Sequence, residues 1–324
     1  MRSAAALVVL LACGSNPGGG TASPDAGGGA GHDGETGGSK KIRTVFVIPL
    51  ENKADTAIYG NLTSAPYING LFSRSNHATN FRDELPGLDS EPHYVWMEAG
   101  TNVFPDRTFS TDNDASGTNS TANANHLVTQ LTAAGVSWTS FQEGIADGVC
   151  PIGSTGNYAA KHDPFVFFRD VAGATPSKTN AECAAHHKPY SALAAALAAD
   201  QVSGYVFITP DLCHDMHGAL GCPSGLTSSA NIKAGDTWLA SELPRILSYA
   251  DTHDAVVFLT WDEGSSTNLM PFMALGSHVR TGASATMFTH SSLLKTVEEI
   301  FGVAVLPTVT AANDLADMFE PGTL

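Results

Sequence analysis

The chain is poor in charge, and poorer still in positive charge. Charged residues make up 15% of its 324 positions, and 16 Lys and Arg stand against 32 Asp and Glu, a formal net charge of −16. A nucleic-acid-binding surface needs clustered cations to track phosphates, so this balance excludes a basic nucleic-acid binder. Apolar types reach 43%, which excludes global disorder. No apolar run approaches the ~20 residues of a spanning helix, so a polytopic membrane protein is excluded as well. There is no fixed-period repeat, and the five cysteines include no C-x2-C pair.

The N-terminal segment is short of anything that packs. Arg2 precedes an apolar run from Ala4 to Ala12 and then Cys13, the layout of an export signal. Leu10-Leu11-Ala12-Cys13 resembles the bacterial lipobox, whose cysteine is lipidated and becomes the new N-terminus. The rival reading is an apolar stub with a chance cysteine. Eleven of the first forty residues are Gly, and residues 14–40 hold no large apolar side chain. Such a stretch cannot bury enough surface to offset its ordering entropy, so it is expected to be a flexible tether. The expected plan is residues 1–13 as signal with lipidated Cys13, 14–40 as tether, and 41–324 as one globular domain. That plan implies export to a bacterial cell envelope, either membrane-anchored through Cys13 or secreted.

With Cys13 set apart, Cys150, Cys183, Cys213 and Cys222 form an even set, which in an exported chain reads as disulfides. Three pairings are possible. Cys150–Cys183 and Cys213–Cys222 are favoured, because each closes a Gly/Pro-rich loop; a zinc site is the rival.

Four segments read as strands buried on both faces: Thr44–Leu50, residues 137–141, Tyr205–Thr209 and Ala255–Trp261. Between them run helical patterns. Leu239, Leu243, Ile246, Leu247 and Ala250 share one face, and Pro244 inside it predicts a kink or a division. Leu293, Leu294, Val297, Ile300 and Phe301 make a second face, with Lys295, Glu298 and Glu299 on its solvated side. Alternation of strands and helices implies an α/β domain with a mainly parallel sheet, in which ligands gather at the carboxyl ends of the strands. Residues 108–125 are polar and read as a surface loop. Asp112, Asp114, Ser116 and Gly117 are faintly like a calcium loop, but Asn123 at its twelfth position is not the bidentate Glu required.

Two of the strands stop at oxygen-bearing side chains. The first ends in Glu51-Asn52, and the last in Asp262-Glu263. Three carboxylates brought together repel unless a cation neutralises them, so a shared hard-cation site is one reading. The other is that loops simply begin there.

VFVIPLEN at 45–52 resembles the opening motif of the phosphoesterase family that contains bacterial and fungal acid phosphatases and bacterial phospholipases C. Further motifs follow in order. Ser90-Glu91-Pro92-His93-Tyr94 is similar to S-x-P-N-Y, and Lys161-His162-Asp163-Pro164 to K-H-N-P. Pro210-Asp211 through Asp215 to His217 is similar to P-N-x-x-x-D-x-H. Gly235-Asp236, Thr260-Trp261-Asp262-Glu263 and His290 with Glu298 complete the set, over roughly residues 42 to 305.

The resemblance implies an alkaline-phosphatase-like α/β fold and hydrolysis of phosphoric esters with one divalent metal ion, Zn, Mg, Mn or Ca. Glu51, Asn52, Asp262 and Glu263 match the metal-holding positions, and Ser90 matches the nucleophile, itself a metal ligand. His162, Asp215, His217 and His290 match positions around the substrate phosphate. The implied function is an acid-phosphatase-like phosphomonoesterase that passes through a phosphoserine and acts on small phosphate esters, not nucleic acid. A phosphodiesterase or phospholipase C of the same fold is one alternative, and a non-catalytic surface protein stapled by its metal is another. The chain departs from the family at His93, Asp163 and Asp211, where Asn is usual, and at His214, where Asn or Gly is common. An added histidine at 93, beside the nucleophile, leads to the expectation of activity favoured below neutral pH.

Overall fold

The computed structural model describes residues 42–265 and 267–324. The expected signal, Cys13 and tether lie outside the described residues.

Long apolar runs form the middle of the structure because only both-face burial removes them from water. The strands are β1 (Thr44–Leu50), β2 (Ser75–Ala78), β3 (Phe81–Arg82), β4 (Trp138–Gln142), β5 (His187–Pro189), β6 (Tyr205–Thr209), β7 (Ala255–Trp261), β8 (Leu269–Met270), β9 (Phe272–Gly276) and β10 (Gly282–Ser284). Eight of them form one sheet in the order β10-β2-β9-β7-β1-β6-β4-β5, while β3 pairs with β8. Every residue of β1, β6 and β7 is buried. The pairs around β1 are parallel, and only β9 runs antiparallel to its neighbours β7 and β2. All four expected strands are present, with β4 one residue later than its pattern placed it. The short edge strands carry too few apolar residues to stand out from loops.

Flanking helices cover the sheet. Ser228–Ala250 is one continuous helix through Pro244, so the expected division does not occur. Pro244 and Ala240, whose carbonyl loses its partner, are both exposed, and water can take the place of the missing bond. The helix His290–Phe301 buries Leu293, Leu294, Val297 and Ile300 as expected, but it also buries Glu298. The Glu298 carboxylate accepts the Leu306 N–H, and burial raises its pKa to about 7. Glu298 therefore belongs to the interior and not to the solvated face. Two disulfides, Cys150–Cys183 and Cys213–Cys222, join the favoured pairs. No helix among the described residues is long and apolar enough to cross a membrane.

Candidate active site

β1 and β7 lie side by side with Leu50 opposite Trp261, so the residues that follow them emerge together at the carboxyl edge of the sheet. The Asp262 N–H donates to the Leu50 carbonyl at 2.9 Å, and the Asn52 N–H donates to Asp262 Oδ1 at 2.9 Å. Asn52 sits in the left-handed region at φ 48°, a conformation Asn tolerates better than most residues, and this turns its amide back toward the carboxylates. That amide lies 3.0 Å from Glu51 Oε2, 3.0 Å from Asp262 Oδ1 and 3.1 Å from Glu263 Oε1. Turned with nitrogen inward it donates to all three; turned the other way it adds a fourth oxygen to the cluster.

The electrostatics follow from that crowding. Burial, then the charges of Glu51 and Glu263, push Asp262 well above the usual carboxylate range. Burial raises Glu263 to about 7, against the pull of His93. Burial also acts to raise Glu51, but His162, Lys161 and the Tyr94 hydroxyl together hold it below its ordinary value. Converging oxygen donors, two of whose carboxylates, Asp262 and Glu263, resist ionisation, are what a hard cation would relieve, so the residues present fit a divalent metal.

Helix Ser90–Ala99 brings the serine to this cluster. Ser90 is its first residue, preceded by Asp89 in extended conformation, and is 2% exposed. Ser90 and Tyr94, one helical turn apart, both face Glu51. Ser90 Oγ donates to Oε2 at 3.1 Å and Tyr94 OH donates to Oε1 at 2.6 Å. The position also points the helix N-terminus, with its partial positive charge, toward the serine oxygen.

His162 and Asp215 join from the other side of β1. His162 stacks on the Tyr94 ring at 5.0 Å, with Nε2 3.3 Å from Glu51 Oε2 and Nδ1 3.4 Å from Asp215 Oδ2. Both His162 Nε2 and Asp215 Oδ2 are buried without a hydrogen-bond partner. Glu51, His162 and Asp215 offer three donor atoms within 4.8 Å of one another. Asp215 Oδ1 accepts the His217 N–H at 2.7 Å, and the His217 ring is 6.3 Å from that of His162. His217 Nδ1 donates to the Gly218 carbonyl at 2.8 Å, which leaves Nε2 as its exchangeable nitrogen.

His290 has a different setting. It is 1% exposed, and Nε2 donates to the Trp261 carbonyl at 2.8 Å, bracing the strand end from which Asp262 departs. Burial, with the nearby His93, lowers its pKa to about 4.

His93 follows Ser90 closely in sequence, but its ring is committed elsewhere. Its Nδ1 donates to the Asp89 carbonyl at 2.8 Å, and its Nε2 is 3.0 Å from Asp83 Oδ1. With both nitrogens committed and the ring 1% exposed, it is a buried ion-pair partner and presents no free nitrogen to a phosphate. Asp83 in turn accepts from the Gly264 N–H at 3.4 Å, so the pair ties the serine helix to the loop after β7. Asp163 likewise pairs with buried His187 at 3.0 Å, next to the Cys150–Cys183 bridge, and anchors the segment that carries His162. Asp211 and His214 group with Glu143, half-buried and bonded among themselves at the ends of β4 and β6.

Lysines escaped the sequence reading. Lys161 bonds Asp112 and projects positive charge onto Glu51 and Asp262. Lys53 is 7% exposed, its Nζ donating to the Asn52 carbonyl at 3.1 Å, and burial lowers its pKa against the pull of Glu51 and Asp262. Lys161 opens the Lys161-His162-Asp163-Pro164 motif, whereas nothing in its spacing marks Lys53 except that it follows Asn52.

Solved structures share the fold at low identity. A protein in the alkaline phosphatase superfamily from Vibrio parahaemolyticus matches with TM-score 0.57 and 13% identity, over 85% of this chain and 70% of its own. The murine ectonucleotide pyrophosphatase/phosphodiesterase 5 matches with TM-score 0.56 and 9% identity, over 86% and 100%. The fold is thus alkaline-phosphatase-like, with a mostly parallel central sheet. In sequence, a phosphatidylinositol-3-phosphatase of Mycobacterium tuberculosis (strain ATCC 25618 / H37Rv) is 31% identical over 280 residues, 85% of this chain and 82% of that protein. The Phosphoesterase family model matches residues 85–304, which span the serine helix, the histidine-bearing loops and Asp262-Glu263. With both matches covering most of its length, the chain belongs to the Phosphoesterase family and is a hydrolase acting on phosphoric ester bonds.

Proposed function

We propose that the protein is a metal-dependent phosphomonoesterase in which Ser90 is the nucleophile. The observation that carries this reading is the Ser90 hydroxyl, directed at Glu51 Oε2 at 3.1 Å inside the buried oxygen cluster. Glu51, Asn52, Asp262, Glu263 and Ser90 would hold the ion. When bound, a divalent cation supplies Lewis-acid activation of an oxygen nucleophile and offsets charge on the phosphoryl group.

Ser90 Oγ attacks phosphorus, its proton passing toward Glu51 Oε2, the acceptor at hand. The Oγ–P bond forms as the ester P–O bond breaks, and the departing alcohol oxygen takes a proton from His217 Nε2. His162, held between Glu51 and Asp215, is placed to donate to a phosphoryl oxygen. His290 acts through the Trp261 carbonyl as a positioning residue. Water then attacks the phosphoserine and His217 takes its proton; as the Oγ–P bond breaks and inorganic phosphate leaves, the Ser90 oxygen recovers its proton from Glu51.

A monoester substrate is favoured over a diester because the 31% identical relative is a phosphatidylinositol-3-phosphatase. We extend that class to this chain: a phosphate monoester on a polyol headgroup. Oxygen donors suit Mg²⁺, Mn²⁺ or Ca²⁺, and neighbouring imidazoles also admit Zn²⁺. Export with lipidation at Cys13 belongs to the same proposal; the two disulfides support an oxidising compartment. Radiolabelled palmitate incorporated by the wild type and not by Cys13→Ser would check it.

The decisive experiment compares wild type and Ser90→Ala on p-nitrophenyl phosphate, with metal analysis of the active protein and acid-quench trapping of labelled phosphoserine. The expected result is loss of turnover and of label in Ser90→Ala. Persistent full activity in that variant would sink the mechanism.

A further inference from the structure

The loop that delivers Asp215 and His217 to the site continues into a segment with two exposed leucines. Leu220 is 88% exposed and Leu226 is 64% exposed, the first and third most exposed of the large apolar side chains among the described residues. Leu220 lies three residues beyond His217, so their Cα atoms are within about 11 Å. The Cys213–Cys222 bridge closes this loop, and the Gly218 N–H donates to the Leu212 carbonyl at 2.8 Å. The bridge therefore holds the loop in shape around exposed Leu220, and Leu226 follows four residues beyond Cys222.

In a chain with 32 acidic residues, positions 216–235 hold no Asp or Glu at all, and their one ionic side chain is Lys233. Lys233 lines a groove of about 560 Å³ between the loop and helix Ser228–Ala250, with His214, Pro223, Trp238 and the carboxylate Glu242. The face is thus apolar at its tip, with one cation, Lys233, and one carboxylate, Glu242, in the groove at its base.

We propose that the Leu220–Leu226 loop is a membrane-contact element that seats the active site on a bilayer bearing anionic phosphate-monoester headgroups. This rests on the reading of the protein as a phosphomonoesterase of polyol headgroups, and it adds how such a substrate is reached. The leucines enter the interface, Lys233 meets lipid phosphate, and His217 is left within one loop length of the headgroup layer.

The test uses the full chain carrying Cys13→Ser, so that no lipid anchor forms, with and without Leu220→Ser plus Leu226→Ser. Binding is read by co-sedimentation with phosphatidylcholine vesicles containing phosphatidylinositol 3-phosphate. Turnover is read on those vesicles and on soluble p-nitrophenyl phosphate. The expected result is a loss of about tenfold or more in vesicle binding and vesicle turnover, given the transfer free energy of two leucine side chains. Soluble turnover should stay within about twofold, and Leu220→Trp should strengthen vesicle binding. Unchanged vesicle binding in the double variant would overturn the proposal, as would an equal loss on both substrates. A wild-type dimer on gel filtration that the double variant makes monomeric would assign the leucines to self-association and overturn it too. If the wild type hydrolyses no phosphate ester, the functional reading fails, and co-sedimentation still decides the role of the loop.

Discussion

The Tyr94 hydroxyl donates to Glu51 Oε1 at 2.6 Å, at the far end of the same carboxylate that accepts Ser90. Two residues one helical turn apart thereby share one buried carboxylate and set its plane. Tyr94→Phe keeps the ring packed on His162 and removes only the donor. It is expected to cost about 2 kcal/mol of stability, because a buried acceptor is left unsatisfied. Cation affinity should fall about 10–100-fold, since the proposed ligand loses the group that orients it. Urea denaturation and activity titrated against added cation would read the two effects separately.

The Asp83–His93 pair predicts a stability phenotype for His93→Asn where the sequence pointed to a change of pH optimum. Removing the imidazolium leaves Asp83 buried without its counter-charge, a loss of about 3 kcal/mol. Chemical denaturation measures it. A variant as stable as the wild type with an altered pH–rate profile would restore the catalytic reading of His93.

Metal removal should reverse the pH dependence of stability at the site. Burial raises Glu263 from 4.5 to about 7 in the metal-free fold. A raised folded value means its contribution is fully present below pH 4.5 and is lost as pH rises through about 7. A bound cation favours the charged forms and opposes that loss. The melting temperature of chelated protein should therefore fall as pH rises from about 5 to about 8, and the increment from added cation should be largest at the upper end. Glu91 and Glu298, also raised to about 7, act in both forms, so the difference between loaded and chelated protein isolates the site.

A second pH effect lies away from the chemistry. His126 is fully buried between Glu98, 2.7 Å from Nδ1, and Asp170, 3.0 Å from Nε2. Burial opposes its charge, but the two carboxylates raise it from 6.5 to about 9. Burial raises Glu98, while the His126 hydrogen bond draws Asp170 down, so Asp170 carries the counter-charge. The stabilisation is complete below pH 6.5 and is lost as pH rises through about 9. His126→Gln should be less stable than wild type by about 3 kcal/mol near pH 6, and the gap should close toward pH 10. Paired thermal melts across that range would check it.

The parts of this protein legible in its sequence are those written as local pattern. Continuous apolar runs identify β1, β6 and β7, because such runs tolerate only burial on both faces. Ordered motifs lead to the family, and an even cysteine set to two bridges. What lies between the motifs needed the fold. That Glu51 meets Asp262 depends on the register of Leu50 against Trp261, a pairing of residues some two hundred positions apart. Burial of Glu298 and the Pro244-containing helix depend on which side faces water, which periodicity alone did not settle. His93 shows the limit most plainly. Its position beside Ser90 is a fact of sequence, but its partner, Asp83, is chosen by how the helix packs on the loop after β7. Covalent neighbours decide which side chains are at hand; hydrogen-bond register and burial decide which of them face one another, and chemistry depends on the second.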